Sequence, residues 1–287
     1  MNQTLNKILE SCREHVAACK QFFPVSMLSH VAEGQSPPRP FFEALTKGLP
    51  PPAHQSVRVI AEVKRKSPSA GLIRPEYALD TFDPASIARA YELAGASAIS
   101  CLTEQAHFGG DLGFIAQIKG VCALPVLRKD FIIDPYQVIE SRAAGADAIL
   151  LIAECLDAEP LATLAWQAIR LGMSVLIEIH DEANLPVAVE IVTAINGARD
   201  NAAGALLGIN NRDLSSMIVD IEHTRSIAAR VSTDLRAVLV SESGIKTHQD
   251  LESLLQIGVQ RVLVGEHLMR QASPGDALRQ LLQASNL

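Results

Sequence analysis

Beyond residue 52 the chain repeats one pattern, a short apolar run followed by a longer stretch with helical periodicity. Eight runs are rich in Val, Ile, Leu and Ala: 57–63, 98–102, 125–127, 148–152, 174–179, 205–209, 237–240 and 261–264. Runs that are apolar at nearly every position are typical of parallel strands buried on both faces. Helical periodicity fills the gaps between them, for example at 83–93, 135–144, 160–171 and 247–256.

Glycine marks several junctions between these helices and the strands that follow, at Gly95, Gly145, Gly172 and Gly258. There it supplies the left-handed conformation that ends many helices. Eight strand–helix units predict an α/β fold, a closed (β/α)8 TIM barrel. The alternative, an open doubly wound sheet, usually carries a GxGxxG fingerprint after its first strand. The first run is followed instead by KRKSP (64–68), so the pattern favours the barrel.

The first 52 residues follow a different pattern and predict a helical extension to the barrel. Leu5, Ile8, Leu9, Cys12 and Val16 recur at helical spacing. A second helical patch at 41–47 stops at a glycine, and three prolines at 50–52 form a stiff connector. We therefore expect an extension at 1–52 and a barrel domain at 53–287 that work as a single functional domain.

Composition excludes several classes of protein. The net charge of −7 and the pI of about 5.6 give no general attraction to nucleic acid or to anionic lipid. No apolar run approaches the roughly 20 residues of a membrane span. The five cysteines are scattered and include no CxxC pair, which is typical of thiols in a reducing compartment. These features predict a soluble cytoplasmic protein that binds neither nucleic acid nor membrane and is a monomer or a weak homo-oligomer.

Polar residues cluster where the predicted strands end, which is the face on which barrel enzymes build their sites. They include Glu62, Lys64, Lys129, Asp130, Glu178, His180, Asn210, Asn211, Arg212, Glu242, Ser243, Gly265 and Glu266. Strand alternation places Glu62 and Lys64 on the same side as Ile60, and Lys129 on the same side as Leu127. If those sides face the lumen, two lysines and two glutamates converge and shift one another's pKa values. The alternative is a set of structural ion pairs, but convergence from three strands favours catalysis.

The last two loops carry a pattern suited to an anion. Ser243 and Gly244 follow the seventh strand, and Gly265 follows the eighth. Glycine lets backbone N–H groups approach an anion, and barrels commonly bind phosphate in these two loops. Ser67, in the long first loop, is placed to close over the same phosphate. The histidines show no HExxH or HxH spacing, so neither a metal nor another cofactor is expected.

These motifs resemble those of the indole-3-glycerol phosphate synthase family. The matching segments are IAEVKRKSPS (60–69), LTE (102–104) with FGG (108–110), PVLRKDF (125–131), Glu178 with His180 and Asp181, GINNRDL (208–214), SESGI (241–245) and VGE (264–266). They span most of the chain in the expected order. The resemblance implies a TIM barrel with a helical amino-terminal extension across the barrel mouth.

The resemblance also implies a reaction and a phosphorylated small-molecule substrate, 1-(2-carboxyphenylamino)-1-deoxyribulose 5-phosphate. The enzyme would close the pyrrole ring, release CO₂ and then release water. Lys129 would be the general acid of ring closure, Glu178 the base of dehydration, and Lys64 the holder of the substrate carboxylate and an acid in dehydration. Glu62 and Asn210 would orient the substrate, and Arg212 would add a further substrate contact. The phosphate would be bound by Ser67, Ser243, Gly244, Gly265 and the backbone of Glu266. The aryl pocket would be formed by Phe108, Phe131 and Leu214.

Two positions depart from the family pattern, and two other functions stay open. Ala70 stands where a lysine is common, and Glu266 stands where small or hydroxyl residues are frequent, so its carboxylate must turn away from a phosphate. One alternative function is a Schiff-base barrel lyase or aldolase acting on another phosphosugar through Lys129 or Lys64. The other is an inactive phosphosugar-binding paralogue, which the joint presence of both lysines and Glu178 disfavours.

Overall fold

The fold is a closed barrel of eight parallel strands, as the sequence predicts. The computed structural model describes residues 3–48, 57–68, 71–78, 81–200, 202–213 and 218–283. Each strand pairs with the next along the chain, and the last pairs with the first. The strands are β1 (Arg58–Val63), β2 (Ala98–Leu102), β3 (Val126–Lys129), β4 (Ala148–Ile152), β5 (Ser174–Ile179), β6 (Ala205–Asn210), β7 (Leu239–Glu242) and β8 (Arg261–Val264).

Helices surround this barrel and precede it. They are α1 (Gln3–Phe22), α2 (Val25–Gly34), α3 (Phe41–Thr46), α4 (Pro84–Leu93), α5 (Gly113–Val121), α6 (Pro135–Ala143), α7 (Ala158–Arg170), α8 (Leu185–Gly197), α9 (Glu222–Arg230), α10 (Thr233–Arg236), α11 (His248–Gln256), α12 (Glu266–Met269) and α13 (Pro274–Leu282). A small hairpin pairs Lys66–Ser67 with Gly71–Leu72 in the loop after β1. Within the described residues, none of these helices is both long and apolar enough to cross a membrane.

Several element boundaries differ from the predicted ones for identifiable reasons. The predicted runs at 125–127 and 237–240 begin before the observed strands. They also stop short of the observed ends, because polar residues continue the strands to Lys129 and Glu242. Helix α2 was not predicted, and three of its apolar side chains, Val25, Met27 and Val31, are exposed. A helix that leaves much of its apolar surface in water has no clear amphipathic pattern to detect.

Strand alternation divides the barrel residues into two packed layers, as predicted. Ile60, Leu127 and Leu176 belong to a cluster that fills the lumen. Their neighbours Val59, Val126 and Val175 belong to the cluster between strands and helices. The lumen-facing side of each strand is therefore fixed, and so is the direction in which the polar residues at the strand ends point.

The extension packs at both ends of the barrel rather than at the mouth alone. Leu5 and Ile8 of α1 line the cavity at the mouth. Helix α3 lies at the opposite end, where Phe41, Phe42 and Leu45 join the lumen cluster and close the base. The expectation that the extension packs across the mouth is therefore correct for α1 but wrong for α3. The three apolar side chains of α3 fill the lower end of the lumen instead.

Candidate active site

A cavity of about 640 Å³ lies at the carboxyl ends of the strands. Nearly all the site residues expected from sequence line it: Glu62, Lys64, Ser67, Phe108, Lys129, Phe131, Glu178, Asn210, Arg212, Ser243, Gly244, Gly265 and Glu266. Leu214 lies outside the described residues. The cavity is large enough for a drug-sized ligand, and it brings titratable groups from several strands together.

Lys129, at the end of β3, lies at the centre of the charged cluster. Its Nζ is 2.7 Å from Oε2 of Glu178 on β5 and 3.2 Å from Oε2 of Glu242 on β7. Burial alone would lower the pKa of Lys129, but the carboxylates of Glu178, Glu242 and Glu62 outweigh it and raise the pKa well above its usual value. The ammonium is therefore fully protonated at neutral pH.

Glu178 is held by partners on three sides. Its Oε2 faces Lys129, and its Oε1 lies 2.8 Å from Nε2 of His180 and 3.2 Å from Nδ2 of Asn210. Burial opposes ionisation, but Lys129 and His180 together keep the pKa of Glu178 well below its ordinary value. The carboxylate is therefore ionised and fixed in direction, as a general base requires.

His180 positions Glu178 rather than facing solvent. Its ring is almost fully buried, and Nδ1 lies 2.9 Å from the backbone oxygen of Arg212. Burial lowers its pKa, but the Glu178 carboxylate and the Arg212 carbonyl raise the pKa to about 9. Both ring nitrogens can therefore donate at neutral pH.

Glu242 belongs to the same cluster, although it is absent from the site residues expected from sequence. It is 1% exposed, and burial together with the neighbouring Glu178 carboxylate raises its pKa to about 8. Two buried carboxylates beside one ammonium cannot both ionise easily, so one of them keeps a proton. Strand alternation contained the relevant information, since Glu242 is two residues from the lumen-facing Val240.

Two glycines make room for carboxylates in this cluster. A Cβ at Gly208 would overlap Oε1 of Glu242, and a Cβ at Gly265 would overlap the carboxylate of Glu62. Glu62 itself pairs with Lys64 through its Oε1. Gly265 was expected to leave room for a phosphate, but the atoms nearest to its missing side chain belong to Glu62.

The loop after β7 has the backbone shape expected of an anion site. Ser243 and Gly244 both have positive φ angles, 67° and 86°. Asn211 fastens this loop, because its Nδ2 donates to the backbone oxygen of Ser243 at 3.0 Å. The positive φ angles turn the chain sharply at the cavity wall, and the missing side chain of Gly244 lets an anion approach the backbone there.

Glu266 turns its carboxylate toward arginines, as the repulsion argument requires. Its oxygens lie 2.8 Å from Nη2 of Arg270 and 3.4 Å from Nη2 of Arg212. Burial would raise the pKa of Glu266, but Arg270, Lys64 and Arg212 lower it below the usual value. The side chain is thus neutralised by neighbours, which leaves the backbone of this loop available to an anion.

The other end of the cavity is apolar. The rings of Phe108 and Phe131 face each other with centroids 6.2 Å apart and planes at 43°. Leu5 and Ile8 of α1 add aliphatic surface there. A flat aromatic group suits such a pocket, because it can pack against the faces or edges of these rings and against the aliphatic surface.

The loop after β3 is fastened to α1. The thiol of Cys12 donates to the backbone oxygen of Phe131 at 3.1 Å, and Nζ of Lys20 lies 2.7 Å from Oδ2 of Asp134. Because Phe131 and α1 both line the apolar end, these contacts fix two walls of the cavity relative to each other. No pattern in the sequence indicates this connection.

Comparison with known proteins decides the family. The family model described as indole-3-glycerol phosphate synthase matches residues 5–281. The chain belongs to this family. Proteins of that name share 41% of their residues with it, one from Rhodospirillum rubrum covering 98% of this chain and all of its own, and one from Rhodopirellula baltica covering 97% and 98%.

A solved structure outside the indole-3-glycerol phosphate synthase family has the same fold. Tryptophan synthase subunit alpha from Legionella pneumophila superposes with a TM-score of 0.57 over 85% of this chain and 97% of its own. The sequence identity is 15%, so this likeness concerns the barrel alone. In the parts of the chain that the structure describes, no group of three or more His, Cys, Asp or Glu side chains has the arrangement of a metal site.

Proposed function

We propose that this member of the indole-3-glycerol phosphate synthase family converts 1-(2-carboxyphenylamino)-1-deoxyribulose 5-phosphate to indole-3-glycerol phosphate, CO₂ and water in the cavity at the barrel mouth. The enzyme is a carboxy-lyase of tryptophan biosynthesis. The observation that supports the site assignment best is the Lys129 ammonium, held between Glu178 and Glu242 in a cavity with an anion loop at one end and two phenylalanines at the other.

The substrate lies along the cavity with its phosphate at the loops after β7 and β8. Backbone donors at Ser243, Gly244 and Glu266, with the hydroxyl of Ser67, hold the phosphate, while Gly265 keeps the backbone close. The aryl ring packs against Phe108 and Phe131, with Leu214 as a further wall that the family resemblance implies. This orientation uses remote binding energy to position the reacting carbons.

Between the two ends, charged and amide groups orient the middle of the substrate. Lys64, paired with Glu62, receives the substrate carboxylate, and Arg212 adds a second cation at the rim. Asn210 donates to Glu178 and accepts the backbone N–H of Arg212, so its amide is fixed and can align the sugar hydroxyls. Ring closure then begins from a defined geometry.

In ring closure the aryl carbon that bears the carboxylate attacks the substrate ketone. Lys129 gives its proton to the ketone oxygen as the carbon–carbon bond forms. The bond to the carboxylate then breaks, CO₂ leaves, and its electron pair restores the aromatic ring. Glu242, protonated at neutral pH and 3.2 Å from Lys129, returns a proton to the lysine.

Dehydration completes the indole. Lys64 donates a proton to the departing hydroxyl, and the nitrogen lone pair assists its loss as water. Glu178, ionised and held by His180, removes the proton from the adjacent carbon to form the ring double bond. Lys129 and Glu178 thus act in different steps although their side chains touch.

We further infer the setting in which the enzyme works. All five cysteines are free thiols, which supports a reducing compartment, the cytoplasm. The net negative charge disfavours nucleic acid as a partner, and we propose a small phosphorylated substrate and a monomer or weak homo-oligomer. Because α1 supplies part of the cavity wall, we propose that the extension at 1–52 and the barrel at 53–287 form one functional unit.

Lys129→Met tests this assignment directly. Purified protein with chelator and substrate should produce indole absorbance and CO₂, and the variant should lose at least roughly a hundredfold in kcat, the usual size of a general-acid contribution. Lys7→Met, on the exposed face of α1, is the matched control and should keep its activity. Borohydride added with the substrate should trap no adduct. An inactive wild-type protein, an active Lys129→Met variant or a trapped lysine adduct would each contradict the proposal.

A further inference from the structure

Two arginines lie side by side at the base of the barrel, at the opposite end from the catalytic cavity. Arg58 begins β1 and Arg261 begins β8, and the two are direct partners in the parallel ladder. Each lies two residues before a lumen-facing residue, Ile60 or Leu263. Both side chains therefore start on the lumen side, beneath the apolar residues of α3.

The Arg261 guanidinium has no opposite charge close by. Its residue is 2% exposed, and burial together with the positive charge of Arg58 lowers its pKa to about 10. No carboxylate contributes to this shift, and neither arginine forms an ion pair with an acidic residue of the described part of the chain. A buried cation is normally paired, because removing a charge from water is costly.

The carboxyl end of α3 supplies partial compensation. Nε of Arg261 donates to the backbone oxygen of Leu45 at 2.8 Å, and Nη2 of Arg58 donates to that of Lys47 at 3.3 Å. The end of a helix carries at most about half an elementary negative charge, and α3 has only six residues. The positive charge of the buried Arg261 therefore remains mostly uncompensated.

Each arginine also keeps one buried donor unused. Nη1 of Arg261 and Nε of Arg58 are inaccessible to solvent and find no hydrogen-bond partner within the described residues. Buried N–H groups almost always have a partner, and charged ones most of all. The two unused donors belong to neighbouring residues of one ladder rung, so a single acceptor between them could satisfy both.

We propose that a monatomic anion of chloride size binds between Arg58 and Arg261 at the base of the barrel. The enclosed position favours a small ion, because the two unused donors, Nη1 of Arg261 and Nε of Arg58, are inaccessible to solvent and a monatomic ion needs the least space. The ion would offset the charge of the arginine pair and so fasten α3 to the barrel. This site is separate from the cavity at the mouth and does not depend on the reaction proposed there.

Bromide provides the structural test, since it replaces chloride and scatters X-rays anomalously. Crystals of the wild-type protein grown or soaked in sodium bromide should show an anomalous peak within hydrogen-bond distance of Nη1 of Arg261 and Nε of Arg58. Peaks found only on the surface or only at the catalytic cavity, with none between the two arginines, would overturn the proposal.

Thermal melting provides the solution test. At constant ionic strength, replacing sodium gluconate by sodium chloride should raise the Tm of the wild-type protein by roughly 3 °C once chloride is about tenfold above its Kd. Arg261→Met should lose this chloride response. Arg279→Met, which removes an exposed arginine paired with Asp276, is the control and should keep it.

Arg58→Met is a second variant for the case in which Arg261→Met fails to fold, because Arg58 is only partly buried. It too should lose the response to chloride. An equal chloride response in the wild type and either variant, or no response in the wild type, would show that the arginine pair holds no such ion.

Discussion

At the scale of single residues, the proposed acid and base roles rest on neighbouring groups that move one another's pKa values apart. Lys129 stabilises the ionised form of Glu178, and the charge of Glu178 in turn helps to keep Glu242 protonated. At neutral pH the site thus holds a carboxylate, Glu178, and a carboxylic acid, Glu242, and both lie within hydrogen-bond distance of the Lys129 ammonium. This difference in environment is what the proposed acid and base roles require.

Glu178→Gln should separate the two halves of the reaction. The amide cannot remove a proton, whereas Lys129 can still donate one to the ketone. We expect a decarboxylated intermediate that still carries its hydroxyl to accumulate in rapid-quench samples, with CO₂ released faster than indole forms. Asp181→Asn is the matched control, because its exposed carboxylate caps the turn after β5, and it should release the two products together. A Glu178→Gln variant that stalls before CO₂ release would place its base earlier in the reaction.

His180 should make stability depend on pH. Its pKa rises from an ordinary value of 6.5 to about 9 on folding, so the folded state holds its proton more tightly. The resulting stabilisation is fully present below pH 6.5, declines as pH rises, and is lost above about pH 9. Its size is on the order of 3 kcal/mol.

Urea unfolding of the wild type and His180→Gln at several pH values measures this contribution. The difference in unfolding free energy between the two proteins should shrink between pH 6.5 and 9. His15→Gln, at an exposed position on α1, is the control and should follow the wild type. A constant difference across that range would mean that His180 does not carry the extra proton.

At the scale of elements, the barrel strands carry both the reactive side chains and the space for them. Gly208 lies in the middle of β6, where the Glu242 carboxylate approaches its backbone, and Gly265 follows β8, where the Glu62 carboxylate does the same. Strand interiors usually disfavour glycine, so its presence marks a close approach by another group. Here that group is in each case a carboxylate of the charged cluster.

Gly208→Ala should therefore damage catalysis more than folding. The added methyl group overlaps Oε1 of Glu242 and presses on Leu176, so Glu242 must move away from Lys129. We expect kcat to fall by roughly tenfold or more, as for other displaced catalytic groups, while the protein remains folded. Gly197→Ala, with open space around its missing side chain, is the control and should be fully active. Equal activity of the two variants would contradict the steric account.

Sequence patterns predicted these elements well where a strand is apolar and bounded by glycine. The runs at 98–102, 148–152, 174–179 and 261–264 match the observed strands residue for residue. The sequence patterns predict strand ends less accurately where a polar residue continues the strand, as Lys129 does in β3 and Glu242 does in β7. The sequence indicates that Glu242 lies near a strand end but not that it contacts Lys129. That contact depends on neighbours from two other strands, β3 and β5.

The sequence also could not place an amphipathic helix in space. The apolar spacing of α3 shows that it is buried but not at which end of the barrel, so its position at the base was unexpected. The same holds for the connection between α1 and the loop after β3, which joins residues 119 apart through Cys12 and Phe131. Such contacts depend on tertiary packing, which local periodicity does not encode.

At the scale of the whole molecule, the two ends of the barrel have different tasks. The charged cluster lies at the mouth, and the aromatic side chains of α3 close the base. Barrel enzymes in general separate stability at the amino-terminal face from activity at the carboxyl-terminal face. The two tasks can therefore be changed independently.

Phe41→Ala tests this separation. Phe41 is fully buried in the lumen cluster, so its truncation should lower the free energy of unfolding by about 3–5 kcal/mol. At a temperature well below the new Tm, kcat and KM should stay at their wild-type values. Phe22→Ala is the control, because Phe22 is 75% exposed and should matter to neither property. A large loss of kcat in folded Phe41→Ala would show that the base also controls the mouth.

The position of α3 has a consequence for the order in which the chain can fold. Its backbone contacts Arg261, 216 residues later, and its phenylalanines pack against strands that are synthesised afterwards. During synthesis Phe41 and Phe42 leave the ribosome long before β8 exists, so they have no native surface to cover them. Long-range contacts of this kind slow folding and leave apolar surface open to aggregation. The segment that seals the base of the barrel is thus made early in synthesis but covered late, when the last strand has formed.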